Sequence, residues 1–161
     1  MPEVIVDSTA IIILSNIGHL WLMEELYEEI YIPEAVLEEV RAKGESSKAF
    51  RNVEKADFIK IFNSEDIKAS DFLASSIHKG EAEVIALAKQ IGANKIIIDD
   101  YAARKHARYL DLNVTGTLGV LLRAKNEGLI NNVKPLMDEM IDEGFYVDEK
   151  LYDFVLEKAN E

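Results

Sequence analysis

Short apolar runs alternate along the chain with longer stretches whose apolar positions recur at helical spacing. Glu3-Val4-Ile5-Val6-Asp7 reads as a buried strand that stops on an acid, and residues 8–16 as a helix ended by Gly18. Residues 19–28 are amphipathic, with Leu20, Met23, Leu26 and Tyr27 on one face, and Ile30-Tyr31-Ile32 is a short strand. Pro33 suits the first position of a helix over residues 33–42, which turns Val36, Leu37 and Val40 inward. Residues 46–56 predict a helix, 58–62 a strand and 70–78 a helix.

The second half repeats the alternation more plainly. Residues 80–91 form a helix with Val84, Ile85, Leu87, Ala88 and Ile91 apolar and Gly92 as its stop. Lys95-Ile96-Ile97-Ile98-Asp99-Asp100 is a strand ending on two acids. Then come a helix over 101–110, a strand over 112–114 and a helix over 117–126 closed by Gly128. Asn132 is expected to cap a further helix with Pro135 in its first turn, and residues 151–158 form the last one. Strands separated by helices predict an α/β fold: a three-layer α/β/α sandwich with a central, mainly parallel β-sheet and right-handed crossovers. No repeat, low-complexity tract or linker interrupts the pattern.

Composition adds two constraints. The chain has no cysteine, which excludes a disulfide framework, a thiolate nucleophile and a Cys-ligated metal. No apolar run approaches the ~18 residues of a membrane span. The Met-Pro-Glu start has no basic segment ahead of an apolar one, so no signal peptide and no membrane association are expected, and the chain is expected in the cytoplasm. Asp and Glu number 30 against 18 Lys and Arg, a net charge of −12. A protein that coats a phosphate backbone normally has the opposite balance, so nucleic acid would need an intervening cation or a local basic patch.

Most of the carboxylates serve solubility, but a few stand where solubility does not explain them. In open α/β sheets, ligands bind beyond the carboxyl ends of the strands. Two wholly apolar strands stop on acids there, one on Asp7 and one on Asp99 and Asp100, and both are expected to be central and adjacent. Glu39 lies at the edge of the apolar face of the helix after Pro33, and Glu81 opens the helix after Gly80, where the dipole favours an anion. Each acid alone has an ordinary role: Asp7 as a helix cap, Glu81 as a first-turn acid, Glu38-Glu39 as solvated surface. Brought together they would repel one another unless a cation neutralised them. With only His19, His78 and His106 as imidazoles, an all-oxygen site suits Mg2+ or Mn2+ rather than zinc.

The order of motifs resembles the PIN-domain nucleases, including the toxin halves of VapBC toxin–antitoxin modules. The matching segments are Val4-Ile5-Val6-Asp7-Ser8-Thr9, the run from Ile32 to Val40, Gly80-Glu81-Ala82-Glu83, and Ile96-Ile97-Ile98-Asp99-Asp100. Ala103-Arg104-Lys105-His106-Ala107 and Val114-Thr115-Gly116-Thr117-Leu118-Gly119 match a prokaryotic subgroup. The resemblance covers nearly the whole chain, so residues 1–161 are expected to form a single PIN-like domain. It implies a metal-dependent endoribonuclease using Mg2+ or Mn2+. Its acids would be Asp7, Glu39, Glu81 and Asp99 or Asp100, with Asp7, Glu81, Asp99 and Asp100 as metal ligands. Glu39 is chosen over Glu38 because it directly precedes the apolar Val40. The third acid is Glu81 where the family commonly has Asp. The resemblance also implies a cognate antitoxin protein and a homodimer, for which Trp21, Leu22 and Leu26 offer an apolar face.

Substrate RNA would have to be held by local basic groups. Arg104 and Arg108 stand one helical turn apart just after the acid pair and either grip phosphates or pair with Asp100 or Asp111. Thr115-Gly116-Thr117 opens a helix after a strand and serves as an anion site or as a simple cap. Lys48, Arg51 and Lys55 make a second basic face that reads as solvated. The competing class is a PIN-like RNA- or protein-binding module with little catalysis. A receiver-type phosphoacceptor is disfavoured, because its doubled Asp should follow the first strand, which here ends on one.

Overall fold

A computed structural model describes residues 3–68 and 77–161, so the helix expected over residues 70–78 lies almost wholly outside the described residues. Five strands, β1 (Val4–Val6), β2 (Ile30–Pro33), β3 (Ile59–Phe62), β4 (Lys95–Ile97) and β5 (Val114–Thr115), form one sheet in the order β3-β2-β1-β4-β5. Every pairing is parallel, with Val4, Ile5 and Val6 opposite Lys95, Ile96 and Ile97. β1 is buried along its length, which is why it reads as a continuous apolar run rather than an alternation.

From β1 the chain passes through α1 (Ser8–Asn16) and α2 (Trp21–Tyr27) to β2, then through α3 (Glu34–Ala42) and α4 (Lys48–Lys55) to β3. It then reverses, crossing through α5 (Lys79–Ile91) to β4 on the far side of β1, and through α6 (Tyr101–Tyr109) to β5. With right-handed crossovers, that reversal puts helices on both faces and gives the three-layer α/β/α sandwich. Helices α7 (Thr117–Asn126), α8 (Lys134–Asp142) and α9 (Glu149–Lys158) complete the described α-helices, and a short 3-10 turn (Ser64–Asp66) follows β3. Ile5, Ile30, Ile32, Ile96, Ile97 and Ile98 are fully buried with Ile11 and Leu14 of α1 and Ile85 and Leu87 of α5, in one contiguous core. Among the described residues no helix is long and apolar enough to cross a membrane.

Three local expectations are corrected. Pro33 is the last residue of β2, not the first of the helix; its φ of −70° suits either state, but its ψ of 157° is extended. Asn132 does not cap α8. The side chain of Glu161 does, accepting from the Val133 N–H at 2.7 Å and the Lys134 N–H at 2.9 Å. Leu22 and Leu26 do not form an outward apolar face. Both are buried in the chain's own core, and only Trp21 of that trio is exposed.

Candidate active site

The switch in chain direction falls between β1 and β4, the place where a doubly wound sheet leaves a crevice. The Asp7 N–H still bonds the Ile97 carbonyl at 2.9 Å, so the two strands carry Asp7 and Asp99 out at the same edge. A cavity of about 680 Å³ opens there, its walls including Ser8, Glu39, His78, Glu81, Asp99 and Asp100.

Asp7, directly before the wall residue Ser8, is 3% exposed. It occupies the cap position of α1, yet its side chain makes no capping bond to that helix, and Oδ1 is buried without a hydrogen-bond partner. Burial pushes its pKa from 3.8 up to about 8; the Ser8 backbone N–H opposes this, and the charges of Glu39, Glu81 and Asp99 add to it.

Glu39 is half-buried on α3 and accepts the Ser8 hydroxyl at 2.8 Å through Oε2. Glu38, its neighbour, points to solvent and pairs with Arg41. Glu81 is buried in the first turn of α5, and its Oε1 accepts the His78 N–H at 3.0 Å. Burial raises its pKa, with the charges of Asp100 and Glu39 adding to the rise. Glu83, two residues on, is buried elsewhere and accepts the Ser64 hydroxyl at 2.8 Å.

The doubled acid divides its labour. Asp100 is exposed and caps α6, accepting the Ala103 N–H at 2.9 Å. Asp99 turns inward and accepts from Thr117 twice, the N–H at 2.8 Å on Oδ1 and the hydroxyl at 2.6 Å on Oδ2. Burial raises the Asp99 pKa, while Thr117 and the Arg104 guanidinium hold it down. The helix N-terminus at Thr117 thus already faces an anion, the chain's own Asp99. Thr117 is fully buried, and the Thr115 hydroxyl lies against Gly119, where a Cβ would come within 2.1 Å of it.

The two arginines separate as well. Arg104 is half-buried beside Asp99; a Cβ on Gly116 would stand 2.7 Å from Asp99 Oδ1 and 3.4 Å from Arg104 Nη1. Its Nε is buried without a hydrogen-bond partner. Arg108 is exposed and lines a different cavity with Tyr101, Lys105 and Tyr109.

Several groups at the cleft were not singled out from sequence as site residues: Ser8, which orients Glu39; Lys43; His78; and the segment Glu143, Gly144, Phe145 and Tyr146 after α8. Ser8 could have been found from its place directly after Asp7. The segment after α8 carries no local signal, since only the tertiary fold brings it over the strand ends.

The donor set fits a hard divalent cation. It is all carboxylate oxygen, and Asp7 Oδ1 is a buried acceptor with nothing to accept from. Among the described residues, no three carboxylate or imidazole groups are already close enough to enclose an ion.

The three-layer α/β/α fold places acids beside the switch point of its sheet, where a doubly wound fold binds ligands. The family model for the PIN domain matches residues 3–161, and the chain belongs to the PIN-domain family. PIN domains are generally nucleases that bind nucleic acid and typically use divalent metals. No curated protein matches the chain significantly.

Proposed function

We propose that this chain is a cytoplasmic Mg2+- or Mn2+-dependent endoribonuclease, the VapC-like toxin of a toxin–antitoxin module, working as a single domain. Its partners in this reading are RNA, a cognate antitoxin and a second copy of the chain. One observation carries it: Asp7, buried and with an unpartnered oxygen, lies within electrostatic reach of Glu39, Glu81 and Asp99 at one sheet edge.

Asp7, Glu81 and Asp99 would hold the metal, with Asp100 at the rim. When bound, the ion supplies Lewis acidity to the scissile phosphate and a lowered pKa to the attacking water. The chain's residues do the rest. Thr117 fixes the Asp99 carboxylate from both sides. Ser8 holds Glu39 by one oxygen, leaving Oε1 to take the proton of the attacking water. Arg104 supplies a phosphate contact beside Asp99. Hydrolysis would form one P–O bond from water and break the P–O bond to the leaving ribose oxygen, which would take a proton from solvent while Glu39 returns its proton to solvent.

The test is cleavage of single-stranded RNA in Mg2+, Mn2+ and EDTA. Metal-dependent cleavage that falls roughly 10²-fold or more in Asp7→Asn supports the reading. A second reading, a catalytically weak RNA- or protein-binding module, is favoured by Asp99 having both oxygens engaged by Thr117. Absence of cleavage in every divalent metal, with RNA binding retained, would select it.

A further inference from the structure

A second cavity, of about 430 Å³, opens at the opposite edge of the sheet, where β1 and β4 begin. Its walls include Val4 and Lys95 at the starts of those strands, Leu26 and Tyr27 at the end of α2, Asn94, and Arg123 of α7. We propose that this cavity binds a small organic anion, its oxyanion held by Lys95 and Arg123 and its apolar body resting on Val4 and Leu26.

The charges come first. The Arg123 guanidinium carbon lies 5.0 Å and Lys95 Nζ 5.9 Å from the centre of the same Tyr27 ring. Each contact is favourable to the ring, but the two cations repel each other. Burial lowers the Lys95 pKa, and the Arg123 charge lowers it further. Arg123 has Glu127 at 3.6 Å, an exposed one-turn pair of the kind that contributes little. Lys95 forms no ion pair among the described residues. An oxyanion between the two cations would turn their repulsion into two charge-assisted hydrogen bonds.

The Tyr27 ring sets the arginine in place. Tyr27 is 8% exposed, and its buried hydroxyl has the Arg123 side chain against it. Burial raises the hydroxyl's pKa, and the Arg123 charge opposes the rise.

The backbone next to it is strained. Glu28 has φ 66° and ψ −48°, and the Glu29 N–H bonds back to the Tyr27 carbonyl at 2.7 Å. This is the uncommon γ-turn with positive φ, a conformation that clusters at ligand clamps. It leads from Tyr27 into β2. Two acids also line the cavity: Glu29 is taken up by the Tyr31 hydroxyl at 2.8 Å and by Lys60 at 4.0 Å, and Glu28 is exposed to solvent. The volume lies in the range of small-molecule pockets. None of this depends on the nuclease reading.

The test is titration of the full chain, in EDTA and at constant ionic strength, with inorganic phosphate, adenosine 5′-monophosphate and benzoate against chloride. Calorimetry gives affinity, and backbone amide NMR shifts give location. The expected result is saturable one-to-one binding of adenosine 5′-monophosphate or benzoate, with shifts at Tyr27, Lys95 and Arg123. The better of the two identifies the oxyanion as phosphate or carboxylate, and inorganic phosphate alone should bind more weakly for want of an apolar body. Arg123→Gln and Lys95→Gln, each verified as folded by its melting curve, should weaken binding about tenfold or more. The proposal is overturned if no probe binds better than chloride, if the shifts fall at Asp7 and Asp99 instead, or if folded Arg123→Gln binds as tightly as the parent.

Discussion

Glu39 of α3 rests directly on Gly80 of α5: a Cβ on Gly80 would stand 1.7 Å from Glu39 Oε1 and 2.8 Å from its carboxyl carbon. The missing side chain at position 80 is the space the carboxylate occupies, and Ser8 holds the other oxygen in place. Gly80→Ala therefore separates stability from function. Alanine is the better helix former by up to about 1 kcal/mol, and the clash is with the mobile end of a side chain. The melting temperature should hold or rise slightly. Glu39 must swing away from Ser8, and metal-dependent RNA cleavage should fall about tenfold or more. A fully active Gly80→Ala protein would show that the position of Glu39 is irrelevant to the chemistry.

The raised Asp7 pKa sets the pH dependence of the metal-free chain. Its value is 3.8 when exposed and about 8 in the folded protein, so between those values the folded state binds more protons than the unfolded. Stability must therefore fall as pH rises from about 4 to about 8 and level off above. Glu81 and Asp99, both raised, act in the same direction. Added Mn2+ competes with those protons, so its stabilising effect should grow across the same window. Asp7→Asn should flatten the metal-free profile and be the more stable protein at pH 8. Thermal melts from pH 4 to 9, with and without Mn2+, check both statements, and a flat parent profile would contradict them.

The sheet edge was legible in the sequence because its cause is local. Parallel strands buried on both faces are continuous apolar runs, so an acid straight after Val6 or Ile98 declares where the strand ends. What was not legible is what distant residues decide. Asp99 and Asp100 are indistinguishable along the chain; they are separated by Thr117, which lies 18 positions past Asp99 and holds it inward, while Asp100 caps its own helix. The α8 cap is the side chain of Glu161, 28 positions beyond Val133, so Asn132 looked like the better cap only locally. Leu22 and Leu26 seemed surplus to one short helix until α2 was seated against the core beside β2.

Thr117 is the most direct handle on Asp99. Thr117→Val keeps the shape and the backbone N–H but removes the hydroxyl that Asp99 accepts at 2.6 Å. A hydrogen bond to a charged group is worth about 1.5–3 kcal/mol, and the residue is fully buried. Chemical denaturation should show a loss of that order with an unchanged m-value. Thr117→Ser, which restores the hydroxyl, should recover most of it. A Val protein as stable as the parent, with the loss confined to Ser, would assign the effect to packing of the methyl group instead.

Arg104 and Arg108 offer a contrast within one helix. Arg104 is half-buried beside Asp99 with an unpartnered Nε, whereas Arg108 is exposed and lines a cavity apart from the acids. A phosphate contact releases counterions, and for a single strand each one contributes about −0.7 to the slope of log affinity against log salt. Arg104→Ala should weaken binding of single-stranded RNA and make that slope shallower by about 0.7. Arg108→Ala should leave both nearly unchanged. The comparison is best made in Ca2+ or on an Asp7→Asn background, so that cleavage does not obscure binding. Because Arg104 also opposes the rise in the Asp99 pKa, Arg104→Lys serves as the control that keeps the charge. It should retain the slope while losing the planar fork that can grip two phosphate oxygens. If Arg108→Ala alone flattens the slope, the RNA path runs along the outer face of α6 and not over the acid cleft.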